Sequence, residues 1–146
     1  MAHTFVKDVM NKKIVAIDQN KTIKETAQLM SKSDVGCAII TENDSPIGII
    51  TERDFVKRIV ADNKSGSALV KEVMSSPLIT IDSDETVWEA AEIMKTKNIH
   101  KVVATENDAI VGIITTSDLV KICSAGSDSE MRRICDQILL RMEKSQ

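Results

Sequence analysis

The 146 residues are 42% hydrophobic, which is enough to form the core of one compact domain or of two small lobes. A net charge of -3, without a clustered basic stretch, argues against a nucleic-acid-binding protein. The chain has no apolar run of about 18 residues and no charged-then-apolar leader, so it predicts neither a membrane span nor a signal peptide. Three widely spaced cysteines predict reduced, buried thiols in a cytoplasmic protein rather than a disulfide framework or metal site.

The chain begins with an apolar-spaced helical turn from Phe5 to Met10 and a short extended run from Ile14 to Ile17. Thr22 and Glu25 have the spacing of a capping box, which predicts that a helix starts there. Apolar residues from Ile23 to Met30 then recur at helical spacing. This first segment therefore predicts a helical turn, a strand and a helix.

Two apolar runs follow, separated by the turn residues Asn43 and Asp44, and they predict a β-hairpin. Thr51 then stands at the N-cap position of a further helix, which continues from Phe55 to Ile59. The unit reads helical turn, strand, helix, strand, strand, helix. We therefore predict an α/β (α+β) fold, with helices packed on one face of a small sheet.

The whole unit then returns, with Gly48 matched by Gly112, a shift of 64 residues. The same shift matches residues 6–10 with residues 70–74. A period this long indicates two copies of one supersecondary unit, each with too little core to be stable alone. We expect the copies, residues 1–62 and 63–124, to pack about a pseudo-twofold axis with paired, equivalent clefts.

Residues 127–146 have no counterpart in the first copy and have the pattern of an amphipathic C-terminal helix. The apolar stripe of this helix consists of Met131, Ile134, Cys135, Ile138, Leu139 and Met142. Two roles fit the stripe equally: it covers the core of its own chain, or it pairs with the helix of a partner.

A Thr-x-x-Asp turn follows the last strand of each copy, from Thr51 to Asp54 and from Thr115 to Asp118. Unpaired amides at a helix start, together with the helix dipole, favour an anion such as phosphate. The aspartate suits the vicinal hydroxyls of a ribose, so the turn has the outline of a nucleotide pocket. The same pattern also serves as a simple helix cap, and the preceding Gly48 and Gly112 fit close packing as well as a ligand role.

These residues resemble a tandem of CBS domains, a Bateman module, over Val6 to about Lys121. The resemblance rests on the doubled motif of glycine, apolar residues, Ser or Thr, two variable residues and Asp. A Val-Lys-(Asp/Glu)-Val-Met segment ahead of each unit strengthens it. The resemblance implies a non-catalytic regulatory module with two clefts for adenosine derivatives: AMP, ADP, ATP or S-adenosylmethionine. In such modules the motif Asp holds the ribose and the motif Ser or Thr holds the phosphate.

The resemblance assigns residues to two clefts. The main cleft would consist of Ala16, Val35, Gly36, Cys37, His100, Lys101, Thr115, Ser117 and Asp118. The second cleft would consist of Thr51, Arg53, Asp54, Thr80 and Ile99. Small residues at 36 and 37 leave room for a base, whereas the matching His100 and Lys101 suit a phosphate, so we expect a phosphorylated adenosine in the main cleft. His100 fits a packing role equally well. Arg53 would contact its own ligand or reach across the axis. We expect the second cleft to be a weaker or an empty site.

We expect no enzyme and no catalytic cofactor, because the sequence has no nucleophile–base pair, metal cluster or P-loop lysine. The family analogy predicts a homodimer and an unidentified protein partner, but no nucleic-acid or membrane partner. The alternatives are a ligand of the S-adenosylmethionine type, a dimeric interaction module with vestigial clefts, and an enzyme acting on nucleotides.

Overall fold

The computed structural model describes residues 4–125, in two compact units with the same order of strands. The first-sheet unit is Lys13–Ile79, and the second-sheet unit combines residues 4–12 with residues 80–125. These units differ from the repeats at 1–62 and 63–124, because the leading segment of each repeat packs with the sheet of the other repeat. The C-terminal helix predicted at 127–146 lies outside the described residues.

Each repeat contains the helical turn, strand, helix, strand, strand and helix that the sequence predicts. In chain order they are α1 (Val6–Val9), β1 (Ala16–Asp18), α2 (Ile23–Ser33), β2 (Cys37–Glu42), β3 (Ser45–Thr51), α3 (Glu52–Asp54) with a π-helical continuation (Phe55–Val60), a 3-10 helix (Val70–Glu72), β4 (Thr80–Asp82), α4 (Val87–Lys97), β5 (Lys101–Glu106), β6 (Ala109–Thr115) and α5 (Thr116–Ala125).

Each unit contains a three-stranded sheet in which the first strand is parallel to the second and the third is antiparallel to it. The predicted hairpins are confirmed. In their two-residue turns, φ is 50° at Asn43 and 64° at Asp44, and 51° at Asn107 and 65° at Asp108. Positive φ at both positions is what a tight turn between twisted antiparallel strands requires, and Asn and Asp tolerate it.

Side-chain caps start the two long helices. The Thr22 hydroxyl accepts from the Glu25 N–H at 3.1 Å, and the Thr86 hydroxyl accepts from the Glu89 N–H at 3.3 Å. The helix after β3 differs from the ordinary α-helix that we expected. Its Phe55–Val60 segment is π-helical, and the Ala61 N–H donates to the carbonyl five residues earlier.

The first-sheet unit has an aliphatic core between its sheet, its helices and the 3-10 helix. The core consists of Ile23, Met30, Ala38, Ile40, Ile50, Ile59, Val70 and Val73. Burial of Val70 and Val73 explains why the leading segment of the second repeat belongs to this unit.

The leading segments approach the third strands closely at the two motif glycines. A Cβ atom added to Gly48 would lie 2.8 Å from the Ser75 carbonyl oxygen, and one added to Gly112 would lie 2.5 Å from the Met10 sulfur. Of the two roles that the sequence left open, the contacts therefore support close packing for both glycines.

Candidate ligand-binding site

The two Thr-x-x-Asp turns are reciprocal helix caps of nearly the same geometry. Asp54 Oδ2 accepts from the Thr51 N–H at 2.9 Å and from the Thr51 hydroxyl at 3.2 Å. Asp118 Oδ2 accepts from the Thr115 N–H at 2.9 Å and from the Thr115 hydroxyl at 3.0 Å. Each aspartate N–H in turn donates to the threonine oxygen, at 3.3 Å and 3.2 Å. The threonine therefore fixes the orientation of the carboxylate.

The turns do not expose the free amides that we expected. The Glu52 N–H donates to the Gly36 carbonyl at 3.1 Å, and the Thr116 N–H donates to the His100 carbonyl at 3.0 Å. The N–H groups of the motif threonine and aspartate are used by the capping box. The expectation of several bare amides is wrong, because the residues of the motif and the start of the second strand satisfy them.

Asp54 lies in a polar cluster that the sequence reasoning missed. It is only 8% exposed, and its Oδ1 accepts from the Ser75 hydroxyl at 3.4 Å. The same oxygen lies 3.6 Å from Arg58 Nε. Because Arg58 follows Asp54 by four residues on a helix, this spacing could have revealed the ion pair.

Asp118 is half-buried and lines a groove of about 300 Å³ together with Val9, Lys121 and Ile122. These three neighbours were not predicted, because Val9 comes from the leading segment and reaches the groove only through the tertiary fold. The groove combines a fixed carboxylate with a cationic and two apolar side chains.

The second-sheet unit brings together the predicted phosphate and ribose residues. Lys101 pairs in register with Thr115 across β5 and β6, and the half-buried His100 precedes it. Ser117 is exposed on the first turn of α5. Two residues predicted for the second cleft lie in the same unit: Thr80 is exposed at the start of β4, and Ile99 is half-buried after α4.

The first-sheet unit holds the predicted base-contacting residues. The buried Cys37 pairs in register with Thr51, and Ala16 is exposed at the start of β1. Val35 and Gly36 line a groove of about 460 Å³ formed by α2 and the helix after β3. Arg53 is exposed. The predicted main-cleft residues are thus divided between the two units, and their assignment to one ligand stays a prediction.

A further groove of about 470 Å³ in the second-sheet unit is lined by two lysines and three carboxylates. In it, Lys7 donates to Asp84 at 2.8 Å. This hydrogen bond and the charge of Asp84 raise the pKa of Lys7 above its ordinary 10.5. Within residues 4–125, no cluster of three or more His, Cys, Asp or Glu is arranged to hold a metal ion. None of the helices in this range is both long enough and apolar enough to cross a bilayer.

Comparison with known proteins identifies the two repeats. The model of the CBS domain family matches residues 6–61 and again residues 70–125. The chain belongs to the CBS domain family. Pairs of such domains are generally regulatory and non-catalytic. The predicted tandem and its α/β fold are therefore confirmed.

Two relatives illustrate how the module occurs in other proteins. The uncharacterized protein MJ1232 of Methanocaldococcus jannaschii is 38% identical over 120 residues, which is 82% of this chain but 39% of that protein. The CBS domain-containing protein YhcV of Bacillus subtilis is 31% identical over 114 residues, covering 78% of this chain and 81% of YhcV. The chain thus spans well under half of MJ1232 and most of YhcV.

Two solved structures are similar over nearly their whole length. A conserved protein from Pyrococcus horikoshii has a TM-score of 0.78 at 25% identity, covering 88% of this chain and 99% of that one. The CBS domain pair of protein MJ0100 has a TM-score of 0.75 at 30% identity, covering 85% and 98%. The MJ0100 pair was crystallised in complex with 5'-methylthioadenosine and S-adenosyl-L-methionine.

Proposed function

We propose that this CBS pair is a regulatory module that binds an adenosine-containing ligand at the Thr115–Asp118 turn. The observation that carries the proposal is the position of Asp118, which lines a groove and is oriented by Thr115. A carboxylate that is already fixed by two donors loses little side-chain entropy when it accepts further hydrogen bonds. The vicinal hydroxyls of a ribose are donors of the right kind for it.

The surroundings of Asp118 suit the remainder of such a ligand. Val9 and Ile122 provide apolar surface for a nucleoside, and Lys121 provides positive charge. Lys101 lies directly across the sheet from Thr115, on the strand pair that ends at the turn. Cationic side chains on both sides of the turn favour an anionic 5' substituent such as the phosphate of AMP, ADP or ATP.

A ligand of the S-adenosylmethionine type is the second candidate. It is favoured by the MJ0100 pair, which is 30% identical and holds two sulfur-containing adenosine derivatives. Both candidates share adenine and ribose, so the proposed role of Asp118 is the same for both. They differ in the charge of the 5' substituent, which Lys101 and His100 would discriminate.

Ligand binding would regulate by its differential affinity for two arrangements of the pair. The module would pass this change to its own homodimer or to a partner protein in the cytoplasm. We propose no catalytic step.

Titration calorimetry tests the proposal with AMP, ADP, ATP, 5'-methylthioadenosine and S-adenosylmethionine. Asp118→Asn keeps a cap acceptor but removes the charge, and we expect it to weaken binding by about tenfold or more. Asp62→Asn removes one negative charge from an exposed turn at the end of the first repeat and serves as the matched control. If no compound binds below millimolar concentration, or if both variants bind like the wild type, the proposal fails. A dimer that light scattering finds unchanged by every ligand would instead support an interaction module.

A further inference from the structure

The two motif turns differ in the residue that follows the aspartate by four positions. This residue is Arg58 after Asp54 and Ile122 after Asp118. The residue before it is lysine in both copies, at positions 57 and 121. At these two positions the copies therefore differ by one positive charge, that of the Arg58 guanidinium.

The contacts of Asp54 involve both oxygens of its carboxylate. Oδ2 accepts from the N–H and the hydroxyl of Thr51 at 2.9 Å and 3.2 Å. Oδ1 accepts from the Ser75 hydroxyl at 3.4 Å and lies 3.6 Å from Arg58 Nε. Oδ2 already accepts two hydrogen bonds, so a diol would have to approach Oδ1, beside which the Ser75 hydroxyl and the Arg58 guanidinium already lie.

Other contacts hold Arg58 in this position. Its Nη1 donates to the Met74 carbonyl at 3.2 Å and to the Val73 carbonyl at 3.4 Å. A ligand that displaced the guanidinium would also leave these carbonyls without their charged donor.

The corresponding region of the second-sheet unit is more open. Val9 stands where the other copy has Val73, and Ile122 stands where it has Arg58. Val73 is 2% exposed, whereas Val9 is half-buried and lines the groove beside Asp118. The isoleucine side chain has no hydrogen-bond donor, so it cannot compete with a ribose for the carboxylate.

We propose that Arg58 acts as an internal competitor that occupies Asp54, so that each chain binds one adenosine ligand, at Asp118. This inference rests on the proposed function and adds the ligand stoichiometry and the residue that sets it. The two motifs are the same in pattern, but the residue four positions later decides which of them accepts a ligand.

Two reciprocal variants test the inference by calorimetry with AMP and 5'-methylthioadenosine. We expect the wild type to bind one equivalent and Arg58→Ile, which copies the second repeat, to bind two. Ile122→Arg, which copies the first repeat, should weaken the single site by about tenfold or more. Two equivalents in the wild type, or one in Arg58→Ile with a wild-type circular dichroism spectrum, would overturn the inference. If Arg58→Ile does not fold, the result for Ile122→Arg decides alone, and unchanged affinity there refutes the inference.

A ligand-free measurement separates this inference from the proposed function. We make a double-mutant cycle from Arg58→Ile and Asp54→Asn. We expect the melting temperature of the double variant to fall by less than the sum of the decreases in the two single variants. Strict additivity would show that Arg58 does not engage Asp54 and would refute the inference even if a ligand binds. Absence of binding to the wild type, with coupling present in the cycle, would instead refute the proposed function and with it the stoichiometry.

Discussion

Replacing Gly48 with alanine tests how tightly the leading segment packs against β3. The new Cβ atom would lie 2.8 Å from the Ser75 carbonyl oxygen and 2.8 Å from the Met74 sulfur. The methionine can rotate away, but the carbonyl accepts from the Ile49 N–H at 2.9 Å and is held by that bond. The Ser75 N–H donates back to the Ile49 carbonyl at 2.8 Å, so a retreat of this backbone strains two hydrogen bonds.

The expected loss of stability combines three terms. Overpacking costs about 1–3 kcal/mol, and a weakened backbone hydrogen bond costs about 0.5–1.5 kcal/mol. Alanine restricts the unfolded chain and recovers about 0.4–1 kcal/mol. We therefore expect Gly48→Ala to lower the free energy of unfolding by roughly 0.5–4 kcal/mol, which corresponds to a fall in melting temperature of roughly 2–13 °C.

Two other glycines provide graded controls for Gly48→Ala. A Cβ atom on Gly112 would meet the Met10 sulfur at 2.5 Å and the Asn11 carbonyl oxygen only at 3.1 Å, so most of the clash is with a flexible side chain. A Cβ atom on Gly66 would make an ordinary contact of 3.5 Å. Thermal and urea unfolding should rank the losses as Gly48 above Gly112 above Gly66. If Gly48→Ala and Gly66→Ala have the same melting temperature, the close approach of the Ser75 backbone to Gly48 does not exist in solution.

Three further variants test the core, the caps and the surface charges. Met94 is 1% exposed, so Met94→Ala should lower the free energy of unfolding in urea by about 2–5 kcal/mol. The control Lys95→Ala, on the same helix, should be nearly neutral. Equal losses for the two variants would contradict the burial of Met94. Thr86→Ala removes the cap of α4 and should cost about 1 kcal/mol, and Thr86→Ser should restore most of it. The pKa of Lys7 is raised in the folded protein by Asp84, so its stabilising contribution is complete below the ordinary pKa of 10.5 and is lost as the pH rises through the raised value. The difference in melting temperature between the wild type and Lys7→Gln should therefore disappear at strongly alkaline pH, and a difference that grows there would contradict the ion pair.

The repeat unit was predictable because its signals are local. The Thr22 cap, the turn at Asn43 and Asp44 and the apolar periodicity each depend on a few neighbouring residues. The packing of each leading segment with the sheet of the other repeat was not predictable. It depends on contacts such as the pairing of Ser75 with Ile49, which joins residues that are distant in the chain. The π-helical segment was also missed, since apolar spacing over six residues does not distinguish bonding to the fourth residue from bonding to the fifth.

The Thr-x-x-Asp turns were recognisable in the sequence, but most of their hydrogen bonds were not. The Thr-x-x-Asp pattern singled out Asp118, which lies beside a groove, although nothing in the pattern indicated that Val9 would line it. The expectation of several free amides failed because the motif side chains and the carbonyl groups of Gly36 and His100 accept hydrogen bonds from most of them. The contact between Arg58 and Asp54 could have been inferred from their spacing, but the hydroxyl of Ser75 comes from a segment that only the fold brings close.

The duplication provides an internal control for the role of the motif. The hydrogen bonds from threonine to aspartate agree within 0.2 Å between the copies. The bond from the threonine N–H is 2.9 Å in both, and the bond from the threonine hydroxyl is 3.2 Å in the first copy and 3.0 Å in the second. Cap geometry therefore cannot be what makes the copies different. The exposure of the aspartate does differ, since Asp54 is 8% exposed and Asp118 is half-buried beside a groove. The surroundings of the two aspartates also differ in charge: Arg58 stands where the second copy has Ile122, and within the turns Glu52 and Arg53 stand where it has Thr116 and Ser117. A difference in ligand binding between the two turns would therefore have to come from these residues and not from the threonine–aspartate cap.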